Sequence, residues 1–407
     1  MKILSLFALI LVVMWCTNTT PPLASDSILD DDFSDKKFLE VTENIIINDN
    51  PNKESDWIKK NTKNNISDPS LDFLNLPEWF GVQVYAKILN ARSLEIIESN
   101  NAYITFIGNR QESSVYATVD VNKDHTVDEI VEIASWLNSP NWVAYKDWHL
   151  YVAEIDRIIV FKNILEHIKN TDYEVVFDEL PDDADHWWKY IAFGPDERLY
   201  IPIWAPCNNC DAWLPYSALY ALDIAIWEFS LVAEWIRNTV WFDWHPDTWE
   251  LWFTDNGRDL MWDDIPPDEL NILKNEWEHF WYPFCHGWDI QDTEFTSRDC
   301  EEFIKPFAKL WPHVAALGLV FSDTANTWDQ WGNHIFIAER GSWNRTTPIW
   351  YRISAVDLST GAYKVFIDWW LQWSKKLGRP VDITTFPDGS LLISDDTSWQ
   401  LYRVFKN

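Results

Sequence analysis

The sequence predicts an all-β fold, a six-bladed β-propeller, carried behind a long polar N-terminal segment. Three observations predict it. A strand unit recurs six times, at intervals mostly near 50 residues, about the length of one four-stranded blade. The copies read AYITFIGN from Ala102, LYVAEID from Leu150, LYIPIW from Leu199, LWFTDN from Leu251, IFIAERG from Ile335 and LLISDD from Leu391. A second strand follows most of them, as in SSVYATVD, DRIIVFK, SALYALD, PIWYRISAVD and WQLYRVF. The period breaks once, because Leu251 and Ile335 lie 84 residues apart. Roughly 30 residues are inserted there, and insertions on a repeat scaffold fall in loops of one face. A β-sandwich would not give so regular a period.

In chain order, residues 1–16 read MKILSLFALILVVMWC, a basic start and an apolar run too short to span a bilayer. This fits a secretory signal. Trp15 is wrong for a cleavage site, but with glycine there VVMGC resembles a lipoprotein lipobox, and Cys16 becomes the lipidated N-terminus. Residues 17–75, rich in Asn, Asp, Lys, Ser and Thr, read as a mostly disordered tether. The propeller domain, 76–407, opens at LPEWFGVQVYA. Its insertion carries DDIPPDELN, HFWYPFCHGWDI and the pair Cys285 and Cys300. Its last strand unit, FPDGSLLISDD, has Gly389 at the turn, where a φ above zero is needed. The corresponding turn HPDTWE has Trp249 instead.

That exchange is general. The chain has 11 Gly and 29 Trp in 407 residues, and many Trp follow Asp, Asn, Glu or Thr, as in KDWH, SPNWVAY and DTWE. We expect UGA codons, meaning glycine in the organism's own code, at Trp136, Trp142, Trp148, Trp187, Trp241 and Trp249. Trp235 is a further bulky residue where a β-rich chain wants glycine. The net charge is −32, from 64 acidic and 32 basic residues. Neither nucleic acid nor an anionic bilayer surface is a suitable main partner for such a chain. Beyond Cys16 there are four cysteines in an exported, oxidising setting. Proximity favours Cys207–Cys210 and Cys285–Cys300, with connectivity left open. CNNC lacks a second CxxC or a following His, so zinc and covalent haem are poorly supported.

The stretches DHWWKYIAFGPDERLYIPI, IRNTVWFDWHPDTWELWFTDNGRD, PPDELN, YPFCHGWDI, PHVAALGLVF, IFIAERGSWNR and GRPVDITTFPDGSLLISDD resemble the pyrroloquinoline-quinone (PQQ) dependent sugar dehydrogenases. The sorbosone or aldose-sugar branch, related to soluble glucose dehydrogenase, is the most similar. The likeness runs from about residue 76 to 405. In that family glycine is expected at Trp79, Trp136, Trp142, Trp148, Trp187, Trp204, Trp241, Trp249, Trp281 and Trp288, whereas Trp188, Trp244 and Trp343 are expected as they stand.

The resemblance implies PQQ over one mouth of the propeller channel, a Ca²⁺ polarising the quinone, and hydride transfer from a sugar. Hydride acceptance builds negative charge on a quinone oxygen, so a cation must wait there. His186 in DHWWK matches the family's His-Gly motif and is the candidate base, since a neutral imidazole suits that task at ordinary pH. Arg237 and Asn238 match an Arg-Asn pair beside the quinone. Gly257 and Arg258 correspond in position to a loop whose carbonyls hold the activating Ca²⁺. Asp268 and Glu269, with Tyr282 and Asp289, resemble a second calcium site of hard oxygen ligands. Arg340, Arg345 and Arg379 are candidates to clamp PQQ carboxylates bidentately. His245, His279 and His286 read as structural. No haem-attachment motif is present, so a separate electron acceptor is expected. A calcium-dependent lactonase or a ligand-binding propeller is the alternative, because fold alone does not decide function.

Overall fold

The computed structural model describes residues 67–169, 172–183, 188–322, 329–349, 351–368 and 370–407. The signal and nearly all of the tether therefore lie outside the described residues, as does His186. Six four-stranded antiparallel units stand around one axis. Blade 1 is Ala91–Ser99, Ala102–Asn109, Val115–Asp120 and Glu129–Ala134, from the axis outward. Blade 2 is Trp142–Lys146, His149–Ala153, Ile158–Phe161 and Glu174–Phe177. Blade 3 is Ala192–Phe193, Leu199–Ile203, Ala218–Asp223 and Glu228–Glu234. Blade 4 is Thr239–Trp244, Leu251–Asp255, Pro267–Leu273 and Ala308–Pro312. Blade 5 is Ala316–Phe321, His334–Glu339, Arg352–Asp357 and Tyr363–Ile367. Blade 6 closes the ring: its three strands Pro380–Thr385, Leu391–Asp395 and Gln400–Lys406 take Phe80–Lys87 from the start of the domain as the fourth.

All six predicted strand copies occupy the second position of their blades. Their alternation is obscured because both faces are covered by neighbouring blades: Ala102–Asn109 and His334–Glu339 are buried throughout. Such strands read as continuous apolar runs. The apolar layers between blades form the core, as where Phe106, Val152 and Ile159 pack together. Leu71 and Leu74, ahead of residue 76, pack against blades 5 and 6, so the folded body takes in the end of the stretch read as tether.

The insertion lies between the third and fourth strands of blade 4. Glu278–His279 adds in parallel to the outer edge of blade 3, and Cys285–His286 pairs with Ile290–Gln291 as a small hairpin. Both expected disulfides are present, Cys207–Cys210 and Cys285–Cys300. One expectation changes here. PPDELN is not part of the insertion but opens the third strand of blade 4, with Asp268 and Glu269 buried.

Several of the tryptophans read as glycine stand in left-handed turns. Gly389 has φ 82° and Trp249 φ 62°, each in the turn before the second strand of its blade. Trp136, Trp148 and Trp235 also have positive φ. Trp142 and Trp241 differ: they lie in the inner strands of blades 2 and 4, buried on the axis. Trp187 lies outside the described residues. Among the described residues, no helix is long and apolar enough to cross a membrane.

Candidate functional site

One mouth of the channel holds a cavity of about 170 Å³. The blades build it by register. The residue directly after the second strand contributes from four blades, as Arg110, Trp204, Asn256 and Arg340. The inner strands contribute Arg92, Val240 and Leu317 at a break in their pairing.

Arg237 and Asn238 sit just before the inner strand of blade 4, and both line the cavity. Asp255, ending the next strand, fixes them: its carboxylate accepts the backbone N–H of Arg237 at 3.1 Å and of Asn238 at 2.6 Å. Burial pushes the Asp255 pKa up to about 7, against these donors. The Arg237 side chain is buried. Its Nε donates to the Asn208 carbonyl at 3.0 Å, Nη1 to the Asn256 carbonyl at 3.0 Å, and Nη2 to Asn208 Oδ1 at 2.9 Å and Asp259 Oδ2 at 3.3 Å. Asn208 lies inside the Cys207–Cys210 loop, so that short disulfide braces the guanidinium. Four of the five guanidinium hydrogens are thereby used.

Across the mouth, three arginines share one carboxylate. Asp396 accepts from Arg92 Nη1 at 2.9 Å, Arg110 Nη1 at 3.3 Å and Arg340 Nε at 2.9 Å. Burial raises the Asp396 pKa, but the three guanidinium charges win and hold it down at about 2. The cluster still carries a surplus of positive charge. Nε of Arg92 and Nε of Arg110 are buried without a partner, so donors remain for an anion.

The remaining wall is amide and imidazole. The Oδ1 atoms of Asn238, Asn256 and Asn344 are buried without partners. His313 Nε2 donates to the carbonyls of Trp262 at 2.8 Å and Ile265 at 3.0 Å, which leaves Nδ1 as an acceptor 3.4 Å from Asn344 Nδ2. Gly257 donates its N–H to Asp268 Oδ1 at 3.0 Å, and a Cβ there would lie 2.7 Å from the Pro267 carbonyl oxygen. Burial brings Asp268 up to about 6.

Of the residues expected at the cofactor, Arg237, Asn238, Gly257 and Arg340 line this cavity, and so does Asp268, expected at a second calcium site. The side chains of the other candidates make contacts outside it. Arg258 pairs with Asp292 at 2.6 Å and Glu294 at 3.4 Å. Glu269 accepts from Gly287 N at 2.7 Å and from the Trp281 indole. The Tyr282 hydroxyl accepts from Cys210 N at 2.8 Å, and Asp289 is exposed beside Lys309. Arg345 binds Asp264 at 3.1 Å and the Asp263 carbonyl, whereas Arg379 stacks on Tyr351. His245 accepts turn N–H groups, as a structural residue would. Among the described residues no three His, Cys, Asp or Glu side chains are grouped to hold a metal.

Sequence reasoning missed Arg92, Arg110, His313, Asn344 and Asp396. Arg110 and Asp396 carried a signal: they follow the repeated strand at the position that Asn256 and Arg340 also hold. Arg92 and His313 have no such mark, because Arg92 sits at an irregularity of its inner strand and His313 in the connection between blades 4 and 5.

The chain is 32% identical over 351 residues to an uncharacterized protein of Borreliella burgdorferi, covering 82% of this chain and 90% of that one. The chain belongs to the same family as that protein. No family model matches it. Among solved structures it is similar to an enzyme of carbohydrate-active family AA12 from Trichoderma reesei, with TM-score 0.69 and 16% identity over 82% of this chain and 98% of that one. It is also similar to the PQQ domain of pyranose dehydrogenase from Coprinopsis cinerea, with TM-score 0.66 and 14% identity over 82% and 97%. A third is the soluble aldose sugar dehydrogenase of Escherichia coli, with TM-score 0.60 and 13% identity over 81% and 100%. At these identities the likeness is one of fold.

Proposed function

We propose that the chain is an exported quinoprotein that oxidises the C1 hydroxyl or aldehyde of an aldose-type sugar and delivers the electrons to a separate acceptor. The observation that carries this reading is the mouth cavity, where Arg92, Arg110 and Arg340 crowd one carboxylate and keep free donors for an anion. The residues fit PQQ, whose several carboxylates are what such a cluster recognises. They also fit Ca²⁺, since the orphaned amide oxygens of Asn238, Asn256 and Asn344 are hard neutral ligands. Solved structures of the same fold include a PQQ domain and an aldose sugar dehydrogenase.

PQQ, when bound, supplies a quinone carbon that accepts hydride, with Ca²⁺ polarising the neighbouring oxygen. The chain's own residues do the rest. Arg92, Arg110 and Arg340 hold the carboxylates. Arg237, fixed by Asn208, Asn256 and Asp259, keeps a buried positive charge at the site without reorganising during reaction. His186, assigned from its motif, takes the proton of the C1 hydroxyl. The Gly257 carbonyl, with the amide oxygens, is assigned to Ca²⁺. Asp268, Glu269, Tyr282 and Asp289 remain candidates for a second calcium. Two disulfides suit an oxidising compartment, and Cys16 is proposed as the lipid anchor there.

The test is reconstitution of purified protein with PQQ and Ca²⁺, then an aldose panel with a dye acceptor. Turnover is expected only with both added. Replacing the base, His186→Ala, should lower it roughly 10²–10⁴-fold with PQQ retained. Full activity in that variant would sink the assigned mechanism. Lactone hydrolysis without PQQ would replace the whole reading by the lactonase.

A further inference from the structure

Ten tryptophans among the described residues have φ between 58° and 75°, including Trp79, Trp136, Trp148, Trp249, Trp277 and Trp399. This left-handed region brings Cβ against a carbonyl oxygen and is adopted freely only by glycine; a bulky side chain there is an outlier. Asn and Asp can be satisfied locally in such a turn, but an indole cannot.

A second observation comes from the axis. A further cavity, of about 240 Å³, opens at the opposite end of the inner strands and is lined by Glu95, Asp243 and Asp382. The inner strands connect the two. Arg92, Val240 and Leu317 line the upper cavity, and Leu94, Asp243 and Leu319 the lower one. The layer between them holds Ser93, Trp241 and Gly318, each at the same irregularity of its strand, and Asp382 takes that position in blade 6. Three blades thus use small or short residues where blade 4 has an indole. Space is tight: a Cβ on Gly318 would come within 2.6 Å of Asp382 Cα. Trp241 meets Trp142 at 5.8 Å, and Trp142 meets Trp204 at 5.8 Å, so three rings plug the axis. The Trp142 ring N–H is buried with no partner, an uncompensated cost.

We infer that the natural protein carries glycine at the ten left-handed tryptophans and at Trp142, Trp204 and Trp241, and that its axis is an open channel joining the two cavities. The codons would be UGA, translated as glycine by the host. Without the three rings the upper cavity deepens past Trp204. The small size of that cavity is then explained, since ligand sites usually span about 300–1,000 Å³. The lower mouth, with carboxylates from three blades, becomes a second way in for water and small cations. None of this depends on the proposed oxidation.

Two measurements decide it. Peptide mass spectrometry of protein isolated from its own cells, with the gene sequence beside it, should show glycine at UGA codons. Tryptophan at these positions would overturn the inference. The crystal structure of the chain with glycine at all thirteen positions should show ordered water along the axis from Arg237 to Glu95. An axis closed by other side chains would overturn the open channel while leaving the glycine assignment standing.

Discussion

Left-handed tryptophan makes a stability prediction that can be worked from four sites. Trp136, Trp148, Trp249 and Trp373 have φ of 67°, 69°, 62° and 59°, and all four are exposed, Trp373 completely. Removing their side chains therefore costs little burial. Consider two quadruple variants, one with alanine at all four positions and one with glycine. Alanine keeps the Cβ and its strain, which is about 1–2 kcal/mol per residue. Glycine removes the strain but adds the entropy of a freer unfolded chain, about 0.5–1 kcal/mol per residue. The difference favours glycine by roughly 0.5–1 kcal/mol at each site, or about 2–4 kcal/mol for four distant, additive sites. In a domain of this size 1 kcal/mol moves Tm by about 2 °C, so the glycine variant should melt roughly 4–8 °C above the alanine variant. Scanning calorimetry and urea midpoints measure it. A glycine variant no more stable than its alanine counterpart would refute the strain argument, because the two differ only by Cβ.

Buried carboxylates set a pH dependence. Burial raises Asp255 and Asp382 to about 7, and burial with the nearby Asp255 charge raises Glu269 to about 8. Their folded pKa exceeds the unfolded value near 4, so their ionisation weakens the fold progressively as pH rises from about 4 to 8. Metal-free protein should therefore lose Tm between pH 5 and 8.5, and Glu269→Gln should flatten that slope; an unchanged slope would refute the assignment. Cys285–Cys300 closes a loop with sequence separation 15. Replacing both by serine should cost about 3 kcal/mol, read as a lower urea midpoint; no shift would mean that the unfolded insertion is already constrained.

The fold was legible because a propeller repeats its second strand, and that strand is buried on both faces in every blade. Six apolar runs at a near-constant spacing leave few alternatives. PPDELN was placed in the insertion for a local reason. Two prolines and two acids signal a turn, yet Pro267 stands first in its strand, where a missing N–H is tolerated. Asp268 is held there by the N–H groups of Gly257 and Ala316. Trp142 was assigned to a turn from the Asn141 before it, but one-sequence reasoning cannot see where a strand begins. The Arg-Asn pair was recognisable as a motif. Arg92 and Asn344 were not, because they join the site through the closure of the ring.

The axis also has an electrostatic direction that composition hides. The chain is strongly acidic, yet Arg92, Arg110, Arg237 and Arg340 all line one mouth of the axis. The inner strand of blade 1 leads from Arg92 at the upper cavity to Glu95 at the lower one, and that of blade 4 leads from the neighbourhood of Arg237 to Asp243. Burial and the charges of Asp382 and Asp243 raise Glu95 to about 8, and burial raises Asp243 to about 7, so the acid end resists adding negative charge. An anionic ligand is therefore drawn to the arginine mouth, where the fixed positive charge lies, although the whole surface repels it. Specificity of this kind comes from holding the fixed positive charge at one end of a low-dielectric channel, where fields are screened least. Net charge alone would have excluded an anionic cofactor; the register of two inner strands makes one end of the same channel suited to it.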